Sequence, residues 1–343
     1  MKEFGVFLPV ANGGWIVSRN TPRLDGGWAQ NRDAALIAEE EGFDFVMAMG
    51  KWRGFGGDTD HWGHSLEAVT MMAGVAAVTK RIKVWATLHA ILHNPAVAAK
   101  MIATLDHISG GRAGLNIVAG AYRGEFEQMD AWDESLDHDA RYDLTEEWTQ
   151  IVKRLWTEPK VSFTGKHFTF HDCVSEPKPL HPPFLICAGM SQRGFAFSVR
   201  EADGCFIGGR DETETRDASH RARTLAAALG KRVRTYCMMT VIVADTDAQA
   251  EAKAQIYRDG LDEGAVLGML ESYGAVGNAM TARAQGAFMT QAVVGSPATC
   301  AAKIEAFLRD CDIDGLMFIY DDYVQGLQVT GREILPRLRE AFA

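Results

Sequence analysis

Short apolar runs of strand length alternate with longer stretches at helical spacing from one end of the chain to the other. The runs at 4–10, 43–48, 82–88, 114–119, 184–188, 205–207, 236–244 and 315–320 carry few polar interruptions, as expected of strands covered on both faces. Between them, 28–41, 66–78, 95–108, 142–156, 193–201, 212–229 and 248–259 predict helices, with two or three further helical pieces to about 289 and a closing helix at 334–342. The punctuation agrees: Asn94 precedes Pro95 as an N-cap before a first-turn proline, and Gly42 and Gly230 stop the helices before them. One segment breaks the alternation. Residues 161–172 alternate apolar and polar positions around Gly165-Lys166, the signature of an inserted hairpin.

Eight buried strands separated by helices predict a parallel sheet, and eight units favour a closed (β/α)8 barrel of the TIM type over an open doubly wound sheet. With no linker or low-complexity tract, residues 1–343 are expected to form one domain with the hairpin and the late helical pieces as insertions. A barrel carries its chemistry at the C-terminal ends of its strands. That directs attention to 47–57, 87–94, 116–125, 189–193, 208–210 and 320–323.

Composition narrows the partners. At 47% hydrophobic and 23% charged, the chain has material for a large core, and a net charge of -10 argues against nucleic acid and anionic membranes. The six cysteines form no CxxC pair, and Cys187, Cys205 and Cys237 sit in apolar runs, which predicts reduced thiols. Without a leader-like or membrane-length apolar stretch, a cytoplasmic protein is expected.

His61 with His64, and His167 with His171, are the nearest approach to metal-ligand spacing, but neither pair has a third ligand at hand, so no metal site is expected. His89 and His93 follow the third strand and either line the mouth or serve the fold. No dinucleotide fingerprint, P-loop or nucleophile elbow is present. Two features are more informative. The run ICAGMS places Ser191 at the start of a helix, where it either caps the helix only or also holds an anion with the free amides and positive dipole end. Arg141-Tyr142 opens the helix after the fourth strand, where the guanidinium either grips a phosphate or pairs with Asp139 or Asp143. Asn116 interrupts an apolar strand, which requires partners for its amide. Glu125 follows in a short polar loop.

Together, FGVFLPVANGGWIVS, MGKWRGFGGDT, LEAVTMMAGVAAVTKRI, SGGRAGLNIVAG followed by GEFEQM, the pair Arg141-Tyr142, ICAGMSQRGFAFS and VGSPATCAAKI resemble the bacterial-luciferase-like flavin monooxygenases over nearly the whole chain. Within that family the chain is most similar to the pyrimidine monooxygenases of uracil degradation (the Rut pathway). The resemblance implies a luciferase-like TIM barrel that binds FMN, as FMNH2, and O2 at the strand C-termini. It places flavin contacts at Met49, Gly50, Lys51, Asn116, Glu125, Arg141, Tyr142 and Ser191. An oxygen pocket falls on Met47, Met49, Thr87 and Asn116, with Thr87 and Asn116 steering oxygen and Glu125 orienting the flavin or a substrate N–H. Substrate contacts are expected at Met47, His89, Ala121 and Tyr122. A separate NAD(P)H:flavin reductase supplies FMNH2, a C–N bond of an N-heterocycle is cleaved, and the assembly is a homodimer or homotetramer.

The sequence departs from the pyrimidine branch at Ala121, where a tryptophan is expected to stack on uracil, and in LHAILHNP after Thr87. These changes point to a substrate wider than uracil. Riboflavin, cleaved to lumichrome and a sugar, is one candidate, and a sulfone or alkanesulfonate another. A flavin-binding protein without catalysis and a deazaflavin-dependent dehydrogenase are the competing classes.

Overall fold

In the computed structural model, which describes residues 1–120, 122–209, 211–273 and 279–343, the predicted alternation closes into a barrel. The strands are β1 (Glu3–Phe7), β2 (Phe45–Met47), β3 (Lys83–His89), β4 (Ala113–Val118), β5 (Val161–Thr164), β6 (Thr169–Cys173), β7 (Phe184–Cys187), β8 (Gly204–Phe206), β9 (Arg234–Val243), β10 (Gln291–Gly295) and β11 (Gly315–Tyr320). All pairings in the large sheet are parallel, in the order β11-β1-β2-β3-β4-β7-β8, and β9 pairs with both β8 and β11 to close the ring. The predicted hairpin is β5 with β6, antiparallel and outside the barrel.

Two interleaved cores follow from the two faces of each strand. Outward residues such as Val6, Val46, Val84 and Leu115 pack under the helices, while Phe45, Trp85, Phe184 and Tyr236 fill the interior. Phe45 stacks on Trp85 with centroids 3.9 Å apart, and Phe184 covers Trp85 at 5.1 Å. A Cβ on Gly114 would run into the Trp85 indole, so that position is held open for the ring. This aromatic plug fills the interior beneath the C-terminal strand ends.

Most predicted signals act as expected. Asn94 accepts from the Ala96 amide at 2.9 Å, and Gly110 ends that helix in the left-handed region at φ 70°. Four details differ. Residues 291–295 form a strand, β10, that pairs with β9 at Met239–Val243 beyond the end of β8; a five-residue run between helices lacks the periodicity to announce itself. The helix predicted from 142 begins at His138, capped by Asp137, so Arg141 and Tyr142 lie within its first turns rather than opening it. A short helix, Arg123–Glu127, precedes it. The closing helix extends further toward its N-terminus than expected: Tyr323–Val329 runs through a π-turn at Thr330–Ile334 into Leu335–Ala341. Among the described residues, no helix is long and apolar enough to cross a membrane.

Candidate active site

The ends of β2, β3, β4 and β7 are consecutive in the sheet, so Met47, Thr87, His89 and Asn116 share one sector of the mouth, with Ser191 just after β7. Thr87 and Asn116 are register partners on β3 and β4. The Asn116 amide donates to Thr87 Oγ1 at 3.1 Å, and the Thr87 hydroxyl donates onward to the Ala48 carbonyl at 2.7 Å. Asn116 Oδ1 is buried without a partner among the described residues. A buried acceptor left unpaired costs stability, which makes it a candidate ligand contact. Met47 is buried in the inner core, and Met49 is half-buried against both cores.

The loop after β2 and the short helix after β4 bring Lys51 to Glu125, with Nζ 3.4 Å from Oε2 and side chains 4% and 5% exposed. The Trp52 and Arg53 amides also donate to the Glu125 carboxylate. Three rings wall the ammonium: Phe55 and Tyr122 with centroids 4.4 Å from Nζ, and Trp62 at 5.8 Å. Burial drives Lys51 down to about 8 although Glu125 opposes the fall. Burial likewise raises Glu125 above the usual carboxylate range against the pull of Lys51. Two ionisable groups are thus held together with the charged form of each disfavoured.

His89 is buried edge-on to Phe126, with centroids 5.1 Å apart, and its ring abuts Gly50, where a Cβ would lie 2.9 Å from Cε1. Burial, then His93 and Lys51, push it down to about 3, so the imidazole is neutral at ordinary pH. His93 turns back to the His89 carbonyl at 3.0 Å and serves the fold. Ala121 lies outside the described residues.

Ser191 caps the helix Gln192–Glu201 and accepts from the Gly194 amide at 3.1 Å. The Tyr142 hydroxyl bonds Ser191, and burial pushes its pKa well above the ordinary tyrosine value. A Cβ on Gly194 would run into that hydroxyl and lie 3.0 Å from Ser191 Oγ. Arg141 forms no ion pair with Asp139 or Asp143; it donates to the Gly120 and Leu136 carbonyls at 3.1 and 2.8 Å and stacks on Trp132, while Asp143 pairs with Arg193. A cation, two hydroxyls and a glycine-cleared helix N-terminus make a set of donors suited to a phosphate, which fits FMN.

Sequence reasoning missed Phe55 and Trp62 as walls of the Lys51 cage and His61 behind them. His61 is fully buried, stacked beside Trp62 with centroids 5.6 Å apart, and neither ring nitrogen has a partner among the described residues. The available signal was the aromatic content of MGKWRGFGGDT and the residues just after it, which carry no local periodicity to mark them as buried.

The comparisons with known proteins speak to the family and the fold. The model of the luciferase-like monooxygenase family matches residues 1–314. Pyrimidine monooxygenase RutA of Variovorax paradoxus is 38% identical, covering 98% of this chain and 94% of the relative, and RutA of Acinetobacter baylyi is 38% identical over 97% and 94%. Among solved structures, riboflavin lyase (RcaE), determined with modified FMN and substrate riboflavin, superposes with a TM-score of 0.89 at 20% identity, covering 99% of this chain and 92% of that one. Long-chain alkane monooxygenase (LadA) gives 0.82 at 19% identity, covering 99% and 91%. At such identities these structures speak to the fold alone. The full-length match to the monooxygenases, on the barrel and mouth described above, places the chain in the luciferase-like monooxygenase family as a flavin-dependent monooxygenase.

Proposed function

We propose that this enzyme cleaves a C–N bond of an N-heterocycle at the Lys51–Glu125 end of the barrel mouth, and that residues 1–343 act as one catalytic unit. The observation that carries the reading is the buried ammonium–carboxylate pair beside the Thr87–Asn116 hydrogen bond. A lactam or imide ring presents C=O next to N–H. The Lys51 ammonium donates to the first and the Glu125 carboxylate accepts from the second, so one ring replaces the partners the two side chains give each other.

The enzyme uses FMN as FMNH2, with O2. The phosphate falls to Arg141, Tyr142 and Ser191, and the ring to Met49, Gly50 and Asn116. When bound, reduced FMN supplies the oxygen chemistry. Thr87 donates to Ala48 and accepts from Asn116, which fixes the amide plane and leaves Asn116 Oδ1 and the second amide hydrogen to orient what lies in the mouth. Met47 and the Phe55, Trp62 and Tyr122 rings keep water from the reacting centre. His89, neutral and pressed on Gly50, and Tyr122 bound the substrate space. Lys51, held near neutrality, can deliver a proton to the departing nitrogen.

The family's two-component organisation calls for a flavin reductase as partner. Pairing into a homodimer or homotetramer would cover Trp28, Leu36 and Val78, which are 37%, 38% and 40% exposed on neighbouring helices. The decisive experiment supplies FMNH2 through a reductase and follows O2 uptake and products by mass spectrometry with uracil, larger N-heterocycles, riboflavin and an alkanesulfonate. Heterocycle-dependent uptake with C–N cleavage is expected. No turnover of any heterocycle would sink the reading, and turnover confined to the sulfonate would redirect it.

A further inference from the structure

The loop after β2 supplies two of the three rings around the Lys51 ammonium, Phe55 and Trp62, whose own centroids lie 5.1 Å apart. It does so in a backbone shape that side chains resist. Asp60 and Trp62 sit in the left-handed region, at φ 45° and 60°. For a residue as bulky as tryptophan that conformation is costly, and it persists only where surrounding contacts over-determine it. The turn is closed by the Phe55 amide on the His61 carbonyl and the His61 amide on the Gly56 carbonyl, both at 2.8 Å.

The contacts that hold this shape converge on Asn12, in the loop after β1. Its side-chain amide donates to the Thr59 and Asp60 carbonyls at 3.2 and 2.8 Å, and its Oδ1 accepts from the His64 amide at 2.8 Å. Its backbone amide donates to the His64 carbonyl at 3.0 Å, and its carbonyl accepts from the Trp62 amide at 3.2 Å. Every polar group of Asn12 thus goes to residues 59–64. Two further ties act with it: Trp62 Nε1 donates to the Gly14 carbonyl at 2.5 Å, and buried Asp262 accepts from the Thr59 amide and hydroxyl, each at 2.8 Å. Just beyond the loop, the Ser65 hydroxyl donates to the Lys51 carbonyl at 2.8 Å. The titratable groups around the ammonium are Glu125, Tyr122, His61 and His89. Burial lowers His61 to about 4 and His89 to about 3, so both are neutral at ordinary pH. The charge on Lys51 therefore answers to Glu125 and to how well the rings exclude water.

We propose that Asn12 is a positioning residue for Lys51: by clamping residues 59–64 it holds Trp62, and with it Phe55, over the ammonium and keeps water away. Its place in the reaction rests on the reading of Lys51 as proton donor to the departing nitrogen. The amine is depressed with the rings in place, so lost hydration outweighs their attraction for the charge. Loosening the clamp should let water in and raise the amine from about 8 toward 10.5. Competitive labelling of the full chain with acetic anhydride across pH, read on the Lys51 peptide by mass spectrometry, gives the half-protonation point without any turnover. Asn12→Ala is expected to raise it by about one pH unit or more. Asn12→Ser, a milder change for the case that the alanine variant does not fold, should move it the same way. Trp62→Gly removes the indole yet accepts the left-handed backbone, so it should keep the fold and also raise the point. In the Trp62→Gly background, Asn12→Ala should add less than about half of its own shift, because the two act through one contact. An unmoved half-point in the Asn12 or Trp62 variants, or full additivity, would overturn the clamp. The alkaline limb of O2 uptake, on whichever heterocycle of the panel is turned over, tests the role of Lys51 separately. A donor acts only while protonated, so turnover lost above about 8 in the wild type should persist to higher pH in Asn12→Ala. A moved half-point with an unmoved limb, or with no turnover at all, would leave the clamp standing and remove Lys51 as the donor.

Discussion

Replacing the buried pair by Lys51→Met with Glu125→Gln should make the protein more stable while abolishing turnover. Burial lowers the Lys51 ammonium from 10.5 to about 8, with Glu125 already counted in its favour. At about 1.4 kcal/mol per pH unit, holding that amine protonated inside the fold costs about 3 kcal/mol. Glu125 is raised as well, so its ionised form adds a cost of the same sign. Methionine keeps an apolar stem among the Phe55, Trp62 and Tyr122 rings, and glutamine keeps an acceptor for the Trp52 and Arg53 amides. The double variant should therefore gain about 1–3 kcal/mol at about pH 7. The pH dependence follows from the sign of the Lys51 shift. Below about 8 the amine is protonated in both folded and unfolded chains, and the full penalty applies. Between about 8 and 10.5 the unfolded chain holds more protons than the folded one, so wild-type stability rises with pH. The variant lacks that rise, and its advantage should shrink across the same window. Guanidinium unfolding at several pH values measures both effects. A variant less stable than wild type by more than about 1 kcal/mol near neutrality, or a gap that stays flat with pH, would refute the argument.

Other residues separate binding from chemistry. Asn116→Ala should lower turnover by about a hundredfold or more while FMN affinity, read by fluorescence quenching, falls by only about threefold, since the phosphate donors, Met49 and Gly50 still hold the flavin; a matching loss of affinity would make Asn116 a flavin anchor only. Arg141→Met should weaken FMN binding by about tenfold or more with smaller effect on riboflavin, which has no phosphate, and equal losses for the two would remove Arg141 from the phosphate site. Ser191→Ala deletes the cap to the Gly194 amide and should cost about 1 kcal/mol in chemical denaturation, as well as FMN affinity. Gly189→Ala would put a Cβ 2.6 Å from the Gly194 carbonyl oxygen, and should destabilise by about 1–3 kcal/mol; an unchanged unfolding midpoint would show that the turn is looser than described.

Local pattern was enough to read the barrel, because eight doubly buried strands spaced by capped helices leave few other ways to cover both faces of a sheet. It also marked Asn116 and Ser191, since a lone amide in an apolar strand and a hydroxyl at a helix start stand out by local pattern. Strand β10 escaped notice because five residues between helices carry too little periodicity to outweigh their surroundings. Tertiary structure alone decided that Lys51 and Glu125, 74 positions apart, meet inside a cage of Phe55, Trp62 and Tyr122. It also decided that Arg141 ties down two backbone carbonyls rather than pairing with a neighbouring aspartate. Local sequence carries the preferences of a turn or a helix, but burial and electrostatic coupling depend on what the rest of the chain brings within a few ångströms, and that is fixed only when the barrel closes.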